Sequence, residues 1–110
     1  MPKKIRIPFK EWSKKLLKQG KKTATSRTKQ YGKKDDYFEI DGYWFQLTDD
    51  PVKLTLHDVT MFHLYDEGAE TKQEFVDIWN EIHPRRGYQA NDEVWFHSFK
   101  EIEPEDIIDE

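Results

Sequence analysis

The chain has no cysteine and no long hydrophobic run. Among its 110 residues the absence of cysteine excludes disulfide bonds, thiolate metal sites and a cysteine nucleophile, and it is typical of proteins in the reducing cytoplasm. No apolar stretch approaches the roughly 20 residues that a membrane-spanning helix needs. The N-terminal residues MPKKIRIPFKEW also lack the apolar segment of a secretory signal. We therefore expect a cytoplasmic protein that has no membrane partner.

Hydrophobic residues are scarce, and aromatic residues make up for part of this shortage. The hydrophobic fraction is 35% and the charged fraction 36%, but 15% of the chain is Phe, Tyr or Trp. These large side chains can each bury enough area to build a small core. A chain of this length holds one core and has no room for a separate cofactor domain. We predict a single domain over residues 1–110 that uses no cofactor.

Positive and negative charges are segregated along the chain. Residues 1–34 contain thirteen lysines and arginines and one acidic residue, whereas residues 35–110 contain five basic and twenty-one acidic residues. The basic part includes QGKKTATSRTKQYGKKDD, residues 19–36, which has almost nothing hydrophobic to bury. Two interpretations stay open: the N-terminal third meets a polyanion, or it folds against acidic neighbours that cancel its charge.

Two segments show the period of an amphipathic helix. Apolar residues recur at helical spacing between residues 9 and 17, so we predict a helix that begins near Pro8. Gly20 stands where a left-handed helix cap is expected. The same period predicts a second helix from about residue 71 to residue 82, which ends at His83-Pro84.

The other segments have strand patterns. We predict strands at residues 23–28, on both sides of the Asp41-Gly42 pair in a hairpin over residues 37–48, at residues 52–60, and at residues 93–99. Residues 61–65 either continue the predicted strand at residues 52–60 or form another strand. The acidic residues 100–110 should cross the surface or fray. This order predicts an α+β fold, with a partly closed β-barrel and two flanking helices.

The pattern Gly20-x-Lys22-x-x-Thr25-x-Arg27, directly after an amphipathic helix, resembles the signature of the ASCH domain, a family of PUA-like β-barrels. Three further segments match that family in order. They are FEIDGYWFQLT, similar to its hairpin; YDEGAETKQEFVDIWNEIHP, similar to its Glu-Gly segment and following helix; and EVWFHSF, similar to its closing strand. The resemblance covers about residues 9–99 and implies a PUA-like barrel, with residues 100–110 as an acidic tail.

The resemblance also implies a ligand-binding cleft, for which the candidate residues are Gly20, Lys21, Lys22, Thr25, Arg27 and Glu67. Lysine and arginine would supply cationic donors to a phosphate or an oxyanion, and arginine can bind two oxygens at once. On a regular strand Lys22 would point away from Thr25 and Arg27, so a shared site requires a bend or bulge.

Two functions from different classes remain open. The first is a module that binds RNA or a modified nucleoside or nucleotide in a basic cleft. The second is a small amidohydrolase for substrates of the N4-acetylcytidine type, for which the resemblance implies Lys22, Thr25 and Glu67 as catalytic residues. The four histidines are widely separated, so we predict no metal site. Bases could also stack on aromatic residues near predicted turns: Tyr31, Trp44 and Tyr88.

Overall fold

The computed structural model describes residues 2–107, and these form three α-helices, five β-strands and one 3-10 turn. In chain order they are α1 (Glu11–Lys18), β1 (Ala24–Arg27), β2 (Tyr37–Ile40), β3 (Tyr43–Leu47), β4 (Val52–Thr55), α2 (Leu56–Phe62), α3 (Lys72–Ile82), β5 (Glu93–Ile102) and the turn Pro104–Asp106. None of these helices combines the length and the apolar character that are needed to cross a membrane.

Strand β5 pairs with three of the other strands. It pairs with β4 through residues 93–96, with β1 through residues 95–98 and with β3 through residues 99–102, always antiparallel. Since residues 95 and 96 have partners in both β1 and β4, these two strands lie on opposite edges of β5. Strand β3 follows the same edge as β4, and β2 pairs with β3.

The predicted α+β class is confirmed, but the sheet is not closed into a barrel. Its strand order, β1-β5-β3-β2, ends in two strands that do not pair with each other in the described part of the chain. The outer edge of β2 is covered by residues 3–5. The N–H of Ile5 donates to the carbonyl of Tyr37 at 2.8 Å, and the N–H of Tyr37 donates to the carbonyl of Lys3 at 3.1 Å.

Helix α1 ends as the sequence predicts. Gly20 has a φ of +74°, its N–H donates to Leu17 O at 3.1 Å, and the N–H of Lys21 donates to Leu16 O at 3.0 Å. These two bonds form a Schellman motif, which needs a residue that tolerates the left-handed region. The cap turns the chain sharply from α1 toward β1.

The predicted hairpin is also confirmed. Strands β2 and β3 are joined by Asp41 and Gly42, whose φ angles are 51° and 88°. Two consecutive positive φ angles are those of a type I′ turn, whose twist matches the flanking strands.

The strand prediction for residues 52–65 is correct over residues 52–55 and wrong beyond them. Strand β4 ends at Thr55, and α2 follows it where the sequence predicts continued strand, so the sheet carries three helices rather than two. The side-chain oxygen of Thr55 accepts the N–H of Asp58 at 3.1 Å and caps the new helix. Leu56, Val59 and Thr60 are buried at helical spacing, a pattern that the alternation of the preceding strand hides.

Helix α3 lies where it is predicted, with Thr71 as its N-cap. The closing strand is longer than predicted, because residues 100–102 continue β5 and pair with β3 instead of crossing the surface. The prediction for residues 108–110 lies outside the described residues.

Two buried clusters fill the space on the two halves of the sheet. One joins α1, β2, β3 and the end of β5, and its centre consists of Phe38, Phe45 and Phe99. The Phe38 ring lies 5.3 Å from each of the other two ring centroids. The other cluster joins β1, α2, α3 and the start of β5. Helices α1 and α3 therefore belong to different clusters, with β1 between them.

We expect Phe38→Ala to lower the free energy of unfolding by about 3–5 kcal/mol, because it leaves a cavity where three rings meet. Such a loss is a large share of a typical domain's stability. Urea unfolding measures it. Tyr43→Ala on the neighbouring strand is the control, because Tyr43 is 40% exposed. Equal losses in the two variants would contradict the assignment of Phe38 to the core centre.

Candidate functional site

A cavity of about 440 Å³ lies between α1, β1 and α3. Much of its wall is aromatic, and most of the aromatic side chains come from the two helices and the residues before α1: Phe9, Trp12, Phe75 and Trp79. Polar side chains reach the cavity from β1 and from the loop between α2 and α3. The volume is in the range of sites that bind small organic ligands.

Lys22 and Glu67 form a buried pair in this cavity. The Nζ atom of Lys22 donates to the backbone carbonyl of Glu67 at 3.0 Å and lies 3.4 Å from its Oε1 atom. Both residues are less than a tenth exposed. Burial lowers the pKa of Lys22, and the negative charge of Glu67 offsets this effect in part. A lysine in this setting exchanges a proton more readily than an exposed one.

Ser26, which the sequence analysis missed, is the third member of this group. Its hydroxyl donates to Oε2 of Glu67 at 2.5 Å, so each oxygen of the carboxylate faces one side chain of the N-terminal segment. Residues 22 and 26 differ by an even number, and strand alternation alone would have placed them on one face. That signal was present in the sequence.

Thr25 and Arg27 form a separate pair on the other face of β1. The Nε–H of Arg27 donates to Oγ1 of Thr25 at 3.1 Å. Both pairs line the same cavity, although β1 keeps a regular register with β5 and contains no bulge. In the described part of the chain β1 is the last strand of the sheet, and residues of both its faces line the cavity at its outer edge. The predicted bulge is therefore not needed.

The loop between α2 and α3 is attached to the start of β1. The carbonyl of Asp66 accepts the N–H groups of Thr23 and Ala24 at 2.8 and 2.9 Å, and this contact brings Glu67 to Lys22. Gly68 has a φ of +90°, and a Cβ atom there would lie 3.1 Å from Leu16 Cδ1 and 3.3 Å from the Cβ of Lys22. A glycine after Glu67 allows this close approach.

Four of the six predicted ligand-binding residues line the cavity: Lys22, Thr25, Arg27 and Glu67. Gly20 and Lys21 do not line it, since Gly20 caps α1 and Lys21 is exposed. Tyr31 lines the cavity, whereas Trp44 and Tyr88 lie elsewhere. The structure thus brings together the centre of the motif and leaves its first residues outside.

Most of the positive charge in residues 1–34 has no acidic partner among the residues that the structure describes. Of the thirteen basic residues, four lie within 4.0 Å of a carboxylate of residues 2–107: Lys4, Lys14, Lys18 and Lys22. Direct ion pairing therefore leaves nine of these charges uncompensated. This favours the first interpretation of the basic segment, a surface that attracts polyanions.

His97 does not line the cavity but forms hydrogen bonds with two residues that do, Thr25 and Tyr31. It is fully buried, its Nε2 atom accepts the N–H of Tyr31 at 2.9 Å, and its Nδ1 atom lies 3.0 Å from the carbonyl of Trp95 and 3.2 Å from that of Thr25. Carbonyls only accept hydrogen bonds, so Nδ1 carries the proton and the ring is neutral. Burial lowers its pKa below the ordinary value of 6.5. His97 thus connects Thr25 and Tyr31, which both line the cavity.

Comparison with models of protein families, with curated proteins and with solved structures found no match. No group of three potential metal ligands occurs among residues 2–107. The side chains offer aromatic faces, hydroxyl groups, a buried lysine-glutamate pair and one arginine. Together they can hold a planar polar molecule and move a proton beside it.

We expect the stability of the protein to depend on the neutral state of His97. Because the folded state resists protonation of this ring, the free energy of unfolding should fall as the pH drops below 6.5. His97→Gln should be less stable than the parent at pH 7.5 by about 1–3 kcal/mol and should lose less stability between pH 7 and pH 5.5. Chemical denaturation at several pH values measures both effects. The control is His57→Gln, at an exposed position, which should keep the pH dependence of the parent's stability. If His97→Gln also kept that pH dependence, the role of the His97 ring would be refuted.

Proposed function

We propose that this protein is an ASCH-type domain of the PUA-like class, and that it binds RNA or a nucleotide-like ligand with one base in the cavity. Support for the class comes from the positions of the four motifs. The first spans the α1 cap and β1, the second is the β2–β3 hairpin, the third carries Glu67 and α3, and the fourth lies in β5. The first and third motifs meet at the cavity.

The observation that carries the binding proposal is the combination of aromatic walls with a buried polar group in one small cavity. A nucleobase has flat apolar faces and an edge of donors and acceptors, so it needs both kinds of surface. The rings of Phe75 and Trp79 are nearly parallel at 6.0 Å, and Trp12 stands at the mouth, 41% exposed. Lys22, Ser26 and Thr25 offer polar atoms for the edge of a base.

The charge of the N-terminal third supports a ligand that carries phosphate. Lys10 lines the cavity with an exposed side chain, and the Nζ atom of Lys29 lies 4.9 Å from the ring centroid of Tyr31, another lining residue. Neither lysine has an acidic partner within residues 2–107. A base inside the cavity would leave its sugar and phosphate near these cations, which attract phosphate without regard to sequence.

Trp12→Ala should weaken the binding of cytidine 5′-monophosphate or a short single-stranded RNA by about five- to 150-fold, because stacking on an aromatic side chain contributes about 1–3 kcal/mol per base. Tyr43→Ala is the matched control, since Tyr43 is 40% exposed and does not line the cavity. Isothermal titration calorimetry measures the affinities. An equal effect of both substitutions, or none from Trp12→Ala, would contradict binding in the cavity.

The second candidate function is hydrolysis of an amide such as that of N4-acetylcytidine. It is favoured by the buried Lys22–Glu67 pair, which lies in the cavity and whose carboxylate accepts the hydroxyl of Ser26. In this reaction water adds to the acyl carbon, the bond between that carbon and N4 breaks, and N4 takes up a proton. The pair would accept the proton from water and return it to the leaving nitrogen. The hydroxyl of Thr25 accepts from Arg27, so it is oriented to contact the substrate.

If the protein is a hydrolase, it should convert N4-acetylcytidine to cytidine and acetate, and Lys22→Met and Glu67→Gln should each lower the rate by about 10²–10⁴-fold. Chromatography of the products measures the rate. Lys21→Gln, at the exposed neighbour, should keep the parental rate. Absence of turnover in the parent protein would exclude this reaction and leave the binding proposal unaffected.

A further inference from the structure

Arg27 is held in a fixed orientation at the wall of the cavity. Its guanidinium group lies over the ring of Phe9, 4.7 Å from the ring centroid, and its Nε–H donates to Oγ1 of Thr25 at 3.1 Å. The first contact holds the group against the ring, and the second restrains its rotation. Its two terminal nitrogens are left without an acceptor among residues 2–107.

Within residues 2–107 this half-buried cation forms no direct ion pair. Burial lowers the pKa of Arg27, and the nearby charge of Glu67 offsets only part of this effect. No carboxylate of residues 2–107 lies within 4.0 Å of the guanidinium group, whereas Glu67 accompanies Lys22 on the other face of β1. Removing a cation from water without a partner costs free energy, and the face of an aromatic ring compensates for part of that cost. The protein therefore keeps a donor pair with no directly bound carboxylate among residues 2–107 at the wall of the cavity.

We infer that Arg27 is a subsite for an oxyanion of the ligand, bound through the two terminal nitrogens. This rests on the proposed function and narrows it: the ligand carries a planar ring together with a phosphate or carboxylate group. The planar fork of arginine fits two oxygens of either group. The contact with Thr25 places the oxyanion close to the hydroxyl of that residue.

Other nearby cations fit this role less well. Lys22 is occupied by the carbonyl and the carboxylate of Glu67. Lys10 is exposed, and its flexible side chain is strongly hydrated, so it can attract an anion but does not orient it. Arg27 combines partial burial, two contacts that restrain its side chain and two terminal nitrogens without an acceptor among residues 2–107.

The test compares three probes on one protein: cytidine, cytidine 5′-monophosphate and orotate, a pyrimidine that carries a carboxylate on its ring. We expect at least one of the two anionic probes to bind the parent about tenfold or more tightly than cytidine, since a hydrogen bond to a charged group is worth about 1.5–3 kcal/mol. Preference for the monophosphate identifies phosphate as the bound group, and preference for orotate identifies carboxylate. Calorimetry gives the affinities.

Two variants and a control make the result specific. Arg27→Gln should remove the preference for the anion, so that its affinities for the two anionic probes fall to that for cytidine, and Arg27→Lys should keep part of the preference. Lys21→Gln loses one charge of the same segment outside the cavity and should keep all of it. Thermal unfolding checks that each variant is folded.

The outcomes separate this inference from the proposed function. Binding of all three probes with equal affinity, or an anion preference that survives in Arg27→Gln, overturns the oxyanion subsite and leaves the cavity as a base-binding site. Failure of all three probes and of short RNA to bind the parent overturns the binding function itself, and the subsite with it. Loss of the preference in both Arg27→Gln and Lys21→Gln also overturns the subsite, because it indicates attraction by the whole basic segment.

Discussion

The pairing of β5 with three strands is the constraint on which the rest of this structure depends. It holds β1 on one edge and both β3 and β4 on the other, so one strand joins the two buried clusters. It also fixes which side chains of β1 meet the loop that carries Glu67. A slip of one residue in the β1–β5 register would turn Ser26 away from Glu67 and bring Thr25 to its place.

Local patterns were sufficient to predict several elements of the fold. The α1 cap, the hairpin turn and α3 depend on neighbours in sequence, and Gly20, Asp41 and Gly42 identify two of them directly. The end of β4 at Thr55 was missed because Leu56, the first residue of α2, continues the strand alternation and also fits the helical period. The absence of barrel closure depends on contacts between distant strands, about which periodicity gives no information.

The site was also predicted only in part, because its local residues are visible in the sequence and its long-range contacts are not. The motif contains Lys22, Thr25 and Arg27, but it does not reveal which of them contact each other. Strand alternation correctly separates Lys22 from Thr25 and Arg27, and the edge position of β1 lets residues of both faces line one cavity. The aromatic wall from α3 could not be predicted, because the apolar face of a helix has the same sequence pattern whether it packs or borders a cavity.

Residues 3–5 also cover a strand edge on which another copy of the protein could otherwise pair. An exposed strand edge is a template on which the strand of another molecule can pair, and such pairing leads to aggregation. Asp36 receives the N–H groups of Lys3 and Lys33 at 3.1 and 2.9 Å, so this first segment is fastened to the sheet at its side as well as along the edge of β2. A fusion or truncation that displaces Lys3 would therefore expose β2 to intermolecular pairing. This would occur even if the cavity beside β1, at the opposite end of the strand order, were intact.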